Sequence, residues 1–414
     1  VLLVDQIDAL SLSLSSNRTP LRSILNLIEQ VRSIPHVRVV ISCRPYDIEY
    51  DPLLGGLDIS QKWELGKLTK EQVSEVLTQH GRHERLDDRL LDFLGNPLCL
   101  FLYLKVVDHA ELTEPVTEEL LYGELWKYDI LNVADSHVER PRLLECLDAI
   151  VNAMYNRQEL SVHISEYETS YLGEINYLLS KEVLLLTESG QLQFFHQTLF
   201  DYVYARRFVE NGHDLMSELA DRHQGLFSRA AVKSILAFQR ETNPGLYKAN
   251  LKTLLFARND DGADKFRYHL KSLALINMTF YERPKKEELD LLTRAISDSE
   301  QYFGVVLGAV HSSVWFKAIW QIIERKGGWT SMTASYKEKI IAMCRRTLLS
   351  DADVVLEVVG KILDYGEETE MSRVASLLLS YRRITCRPDK LISIYEKLVK
   401  SHCCDCTGLL ISIG

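Results

Sequence analysis

The chain has 414 residues, 46% of them hydrophobic and 26% charged, an ordinary globular mixture that excludes a disordered or fibrous protein. Its formal net charge of -10 argues against a broad basic surface for nucleic acid. The longest apolar run, Leu98 to Leu104, stops at Lys105, well short of the ~20 residues a membrane helix needs.

Val1 to Val4 reads as a short buried strand, with Asp5 directly after it. It has neither an initiator Met nor the form of a signal peptide, so the chain is expected to continue a sheet begun upstream. Leu409 to Gly414 likewise reads as a helix cut short. Leu21, Ile24, Leu25, Leu27, Ile28 and Val31 have helical spacing, Val37 to Ser42 is a second β-branched run, and Trp63 to Leu65 is a candidate third strand. Apolar strands alternating with an amphipathic helix imply a parallel sheet.

Beyond residue 66 the period turns helical. Thr69-Lys70-Glu71-Gln72 has capping-box form, and helices are expected over 69–80, 87–94, 97–110, 117–131 and 139–156. Two apolar runs, 183–187 and 191–195, flank Glu188-Ser189-Gly190 and read as a hairpin, followed by a helix over 197–209. From about 213 the pattern is helix after helix: 226–241, 246–257, 265–280, 286–297, 300–311, 313–325, 335–348, 352–364, 370–382 and 389–401. No strict sequence period links them, so an irregular array is expected rather than a consensus repeat.

Eight cysteines are present. Those at 43, 99, 146, 344 and 386 stand singly in apolar surroundings, as free thiols of a reducing cytoplasm do. His402-Cys403-Cys404-Asp405-Cys406 offers one Cys-x-x-Cys pair, half of what a structural zinc site takes.

The chemistry-bearing residues cluster early. An apolar strand ending in Asp5-Gln6-Ile7-Asp8 delivers carboxylates to the C-terminal edge of a parallel sheet, where open α/β sheets bind ligands. The plain alternative is a strand that ends in a turn, with Asp8 capping a helix. The second run ends at Ser42-Cys43-Arg44-Pro45, and Arg44 has the permanent charge and planar fork that suit phosphate. A surface loop arginine is the alternative there.

These segments together resemble the STAND class of P-loop NTPases, NACHT-like branch. The segment through Asp8 resembles its Walker B, and Val40 to Pro45 its sensor 1. Gly95-Asn96-Pro97-Leu98 resembles the Gly-x-Pro motif of the helical domain, and Phe195 to Ala205 the histidine segment of the winged helix. The four motifs stand in family order over about residues 1–210.

The fold this resemblance implies is a partial α/β P-loop NTPase sheet and then mainly α structure. It would comprise an NTPase portion at 1–66, a helical domain at 67–135, a winged helix at 136–212 and an α-solenoid-like array at 213–414. The resemblance implies that Asp5 holds Mg²⁺ through water, that Asp8 polarises the attacking water and that Arg44 contacts the γ-phosphate. Pro97 would pack on adenine and His196 would touch the β-phosphate of ADP. On the residues alone, Asn96-Pro97 also reads as a helix start with Pro at N1, and His196 as a core histidine.

Two departures stand out. Ala9 occupies the position where many members carry Glu, which bears on hydrolysis because that position supplies an aligned base. No Gly-x-x-x-x-Gly-Lys-Ser/Thr is present: Gly66-Lys67 precedes Leu68, and Gly360-Lys361 precedes Ile362. The P-loop is expected upstream of Val1, so the full-length protein is implied to be a slow ATPase, while this stretch is expected to bind ATP weakly or not at all.

The resemblance implies an ATP/ADP-dependent cytoplasmic signalling switch in bacterial antiviral defence or stress signalling. A protein ligand at the array would drive homo-oligomerisation and activate an effector domain. The competing readings are a helical scaffold with a decayed ATPase and, last, DNA binding through the winged helix. Mixed-sign runs such as 282–288, Phe195, Phe200, Tyr202 and Tyr204 as packing residues, and the net acidity argue against DNA.

Overall fold

The computed structural model describes residues 1–10, 18–44, 48, 51–82, 86–109, 112, 116–133, 138–225, 228–281, 283–310, 312–348, 351–379 and 388–401. Pro45, Cys386 and the tail from His402 to Gly414 lie outside them, as do positions 110, 226–227, 311 and 380–382 of the expected helices; the helices expected to reach 110 and 311 end earlier, at Val106 and Ala309. The protein is mainly helical, with two small sheets, and divides into two compact units, Val1–Pro244 and Gly245–Gly414.

The first unit opens with β1 (Leu2–Val4) and β2 (Val39–Ile41), paired in parallel with Leu2 opposite Val39 and Val4 opposite Ile41. A single-turn 3-10 helix (Ile7–Leu10) and α1 (Thr19–Arg32) lie between them. Ile7, Leu21, Ile28 and Leu54 form a buried core against Val4, Val39 and Ile41. The expected third strand at Trp63–Leu65 does not form: no ladder includes these residues, and Trp63 and Leu65 are 76% and 96% exposed. A strand needs a partner for its N–H and C=O groups, and Trp63-Glu64-Leu65, apolar at two of three positions, does not supply one.

Helices α2 (Pro52–Gly55), α3 (Lys70–Gln79), α4 (Asp88–Leu94), α5 (Pro97–Val106) and α6 (Glu118–Trp126) follow. The capping box at α3 is complete: Gln72 N–H donates to Thr69 Oγ1 at 3.3 Å, and Thr69 N–H donates to Gln72 Oε1 at 2.9 Å. The helix expected to run to residue 131 is α only to Trp126; Lys127–Leu131 continues as a π-helical turn. There Asn132 N–H donates to the Lys127 carbonyl, and the Asp129 carbonyl accepts from Tyr177 Oη at 2.8 Å, an outside partner that the wider turn accommodates.

Next come α7 (Arg140–Arg157), β3 (Val162–His163), α8 (Glu168–Ser180), β4 (Leu184–Leu186), β5 (Gln191–Phe194), α9 (Gln197–Glu210), α10 (Leu215–Asp221) and α11 (Ser228–Thr242). The three strands form an antiparallel sheet in the order β3-β5-β4. The expected hairpin turns at Gly190, whose φ of +75° favours glycine. Helix α9 packs on α7 and along α11. Tyr204 stacks on Tyr155 at 3.9 Å, Tyr202 on Tyr122 at 5.2 Å, and the Arg206 guanidinium lies 4.8 Å from the Trp126 ring. The packing of α11 on α9 carries the first unit past residue 212 to Pro244.

The second unit is built of α12 (Pro244–Phe256), α13 (Tyr268–Thr279), α14 (Lys286–Asp298), α15 (Glu300–Ala309), α16 (Ser313–Arg325), α17 (Ala334–Thr347), α18 (Ala352–Tyr365), α19 (Glu368–Leu379) and α20 (Pro388–Ser401). Alternate helices stack in two rows, α13-α15-α17-α19 and α14-α16-α18-α20. A regular set of bonds runs along the rows, from each donor helix back to the helix before it in the same row. Tyr336 Oη donates to the Glu300 carbonyl, Lys339 to Gly304, Arg346 to Val310, Lys390 to Asp353 and Lys397 to Gly360, each donor 35 to 37 residues after its acceptor. The array therefore has a spatial period that the residue types do not repeat.

Lys271 of α13 is 1% exposed, with Nζ 2.9 Å from Asp264 Oδ1, and Arg258 pairs with the same carboxylate. Cys99, Cys146 and Cys344 are buried free thiols, each pushed up to about 12 by burial and so inert. Among the described residues, no helix is long and apolar enough to cross a membrane.

Candidate functional site

The parallel register of β1 and β2 ends both strands at one edge, which places Asp5 beside Ser42. Ser42 N–H donates to the Val4 carbonyl at 3.0 Å, and Ile7 N–H returns to the Ser42 carbonyl at 3.1 Å. Between these bonds Gln6 adopts φ +51° and gives its N–H to Ser42 Oγ at 2.6 Å. The Ser42 hydroxyl in turn donates to Asp5 Oδ1. Ser42 thus orients Asp5, which is otherwise exposed. One exposed carboxylate with one oxygen already engaged fits Mg²⁺ held mainly through water and phosphate, and does not make a protein cage. Among the described residues, no group of three or more His, Cys, Asp or Glu is gathered for a metal.

The turn that follows Asp5 sets Asp8 at 6% exposure, facing Arg44. Arg44 Nε lies 2.7 Å from Asp8 Oδ2, and the Arg44 backbone N–H donates to Asp8 Oδ1 at 3.3 Å. The two residues assigned separate roles by resemblance are therefore bonded to each other. Arg44 also reaches across 153 residues: Nη1 donates to Gln197 Oε1 at 3.1 Å.

Gln197 is the first residue of α9, and His196 is its N-cap. The His196 ring nitrogen Nδ1 accepts from Thr198 N–H at 3.2 Å and lies 2.8 Å from Thr198 Oγ1, which is hydrogen-bonded to Tyr122 Oη. Burial pushes the Tyr122 hydroxyl up, so it keeps its proton. With Nδ1 accepting, the neutral ring carries its proton on Nε2. Desolvation, and then the positive charge of Arg44, lower the pKa of His196. One turn on, burial pushes Asp201 up to about 7 against the opposing charges of Lys233 and Arg44, and burial raises Glu118 of α6 as well. Strand ends, α6, α9 and α11 thus contribute to one polar crossroads.

Pro97 stands outside these contacts. It opens α5 behind Asn96, whose Oδ1 accepts from Leu98 N–H at 3.0 Å, the geometry of an ordinary N-cap with Pro at N1. Gly95 is required there: a Cβ would stand 2.9 Å from the Leu68 carbonyl oxygen. No polar or ring contact of the described residues joins Pro97 to Asp5, Asp8, Arg44 or His196.

Of the five candidates, then, the fold brings Asp5, Asp8 and Arg44 to one edge and sets His196 within the field of Arg44. Sequence reasoning passed over Ser42, Gln197, Thr198 and Asp201, although all four lie inside the motif segments. Their signal was a polar side chain at the turn next to each assigned residue. Tyr122 and Glu118 had no such local signal. A shallow cavity of about 100 Å³ by the π-turn, lined by Val106, His109, Glu124, Lys127, Tyr128 and Asn132, contains none of these residues. No protein-family model matches this chain, and no curated protein matches it at a significant level.

Proposed function

We propose that this chain works in an ATP/ADP-dependent signalling switch of the STAND class, NACHT-like branch. Ligand sensing by the helical rows of the second unit would be coupled to an effector, in bacterial antiviral defence or stress signalling. The observation that carries the reading is the Asp8–Arg44–Gln197 link. It ties the candidate phosphate edge to the helix whose N-cap is His196, and a nucleotide switch needs such a tie so that phosphate contacts can bias two arrangements of the chain.

In this reading the antiparallel sheet with α7 to α9 is the winged helix. Asp5, oriented by Ser42, holds the magnesium that screens the phosphates. Arg44 offers a guanidinium to the terminal phosphate, held in place by Asp8. His196, neutral with its proton on Nε2, has a donor left for a phosphate oxygen, because Nδ1 is taken by Thr198. Pro97 closes over the base.

The test is ADP release from the full-length protein. His196→Ala is expected to speed it at least about tenfold, the loss of one hydrogen bond to a charged group. An unchanged release rate overturns the role of His196, and failure of the wild type to bind either nucleotide overturns the switch. That second result would favour a nucleotide-independent scaffold, a reading supported by the engagement of Asp8 with Arg44 and by the stacked helical rows.

A further inference from the structure

We propose that Gln197 is a positioning residue through which a phosphate at Arg44 acts on α9. The inference rests on the nucleotide reading above and names the residue that transmits occupancy of that site.

Arg44 divides its donors between two unlike acceptors. Asp8 is buried, anionic and bonded both to Nε and to the backbone N–H, so it fixes where the arginine stands. Gln197 is neutral and takes Nη1 at 3.1 Å, a longer contact. An anionic acceptor adds Coulomb attraction to a guanidinium that a neutral amide oxygen lacks. A phosphate oxygen arriving at this guanidinium therefore displaces the amide and leaves the carboxylate in place. The Arg44 side chain is 43% exposed, so a solute can reach it.

What Gln197 loses, α9 loses. Its backbone is the first turn of that helix, anchored on its own side by the His196 cap and by Thr198 to Tyr122. The Gln197 amide is a direct side-chain tie from this turn to the strand edge. Breaking it separates the β1–β2 edge from α9 while Asp8 still holds Arg44. Occupancy by a terminal phosphate thereby becomes a change at the N-terminus of α9, with no movement of Arg44 away from its carboxylate.

The decisive experiment compares two substitutions of opposite sign in the full-length protein, reading the ratio of Mg-ATP to Mg-ADP affinity. Gln197→Met keeps the length of the side chain and removes the oxygen acceptor. It is expected to raise the ATP preference about three- to tenfold, since the Gln197 amide then no longer competes for Nη1. Gln197→Glu puts a second carboxylate on the same guanidinium and is expected to lower that preference by at least as much. Gln197 is partly exposed at a helix start, so both variants should fold. A purely structural role would move both affinities together and leave the ratio where it is. If both variants shift the ratio in one direction, or neither shifts it, while the wild type binds both nucleotides, Gln197 is not the transmitter and the switch reading stands. If the wild type binds neither nucleotide, both proposals fall.

Discussion

Arg44 Nε and Asp8 Oδ2 stand 2.7 Å apart at the end of two parallel strands, with the carboxylate buried and the guanidinium nearly half exposed. The asymmetry means that Asp8 depends on Arg44 more than Arg44 depends on Asp8. Water can replace a carboxylate around an exposed cation, but cannot reach a buried anion in the same way. The pair is therefore a support for the turn as well as a charge at the edge.

Removing Asp8 tests that support. Asp8→Ala takes away the acceptor of both Nε and the Arg44 N–H, and is expected to cost about 1–2 kcal/mol, discounted for the exposure of the arginine. Urea unfolding followed by far-UV circular dichroism reads it. A midpoint unchanged from wild type would show that the pair contributes nothing.

His196 offers a spectroscopic check. Its imidazole should titrate below the ordinary histidine value of about 6.5, with the neutral proton on Nε2 in ¹⁵N-resolved spectra. Arg44→Met should move the midpoint up, since it removes a repelling charge. The folded chain releases this proton more readily than the unfolded chain. The histidine's contribution to stability is thus present above about pH 6.5 and lost as pH falls through the lowered folded value. A midpoint that does not respond to Arg44→Met would remove Arg44 from the ring's surroundings.

Asp201 behaves in the opposite sense. Burial raises it to about 7, so between about pH 4 and that value the folded chain keeps a proton that the unfolded chain has released. Its contribution to stability grows as pH falls through 7. Asp201→Asn should stabilise the protein at pH 8 by on the order of 1–3 kcal/mol and make little difference near pH 4. Melting temperatures at the two pH values measure it, and a difference that is the same at both would refute the raised carboxyl.

The second unit carries its own asymmetric pair. Lys271 is almost wholly buried, while Asp264 is partly exposed and also bonded to Arg258. Asp264→Ala strands a buried ammonium and is expected to cost about 2–4 kcal/mol; Lys271→Met replaces the charge with a stem of similar volume and is expected to cost less than about 1 kcal/mol. Equal losses in denaturant titrations would mean that the lysine is not buried as described.

Local structure was legible because local structure is periodic. The capping box at Thr69, the glycine turn at Gly190 and the helices of the second unit follow from residue types a few positions apart, and all formed near their expected limits. The shared edge of Asp5 and Arg44 was also readable, since two apolar runs joined through a helix pair in parallel. Trp63–Leu65 failed because a three-residue segment, with Glu64 at its centre, does not specify a partner strand. The π-turn at Lys127–Leu131 escaped because the partner of its Asp129 carbonyl, the Tyr177 hydroxyl, lies far along the chain.

By itself, then, the order of residues determined most of the helices, the two runs that pair in parallel and the Gly190 hairpin, and which polar side chains each would carry. Only the tertiary structure decided that Asp8 and Gln197 would share one guanidinium, that Ser42 would orient Asp5, and that donors and acceptors 35 to 37 residues apart would lock neighbouring helices in both rows. The physical reason is range. Backbone conformation answers to neighbours within a turn, whereas a hydrogen bond between distant residues exists only after packing has brought both ends together and offset the entropy of closing the loop between them.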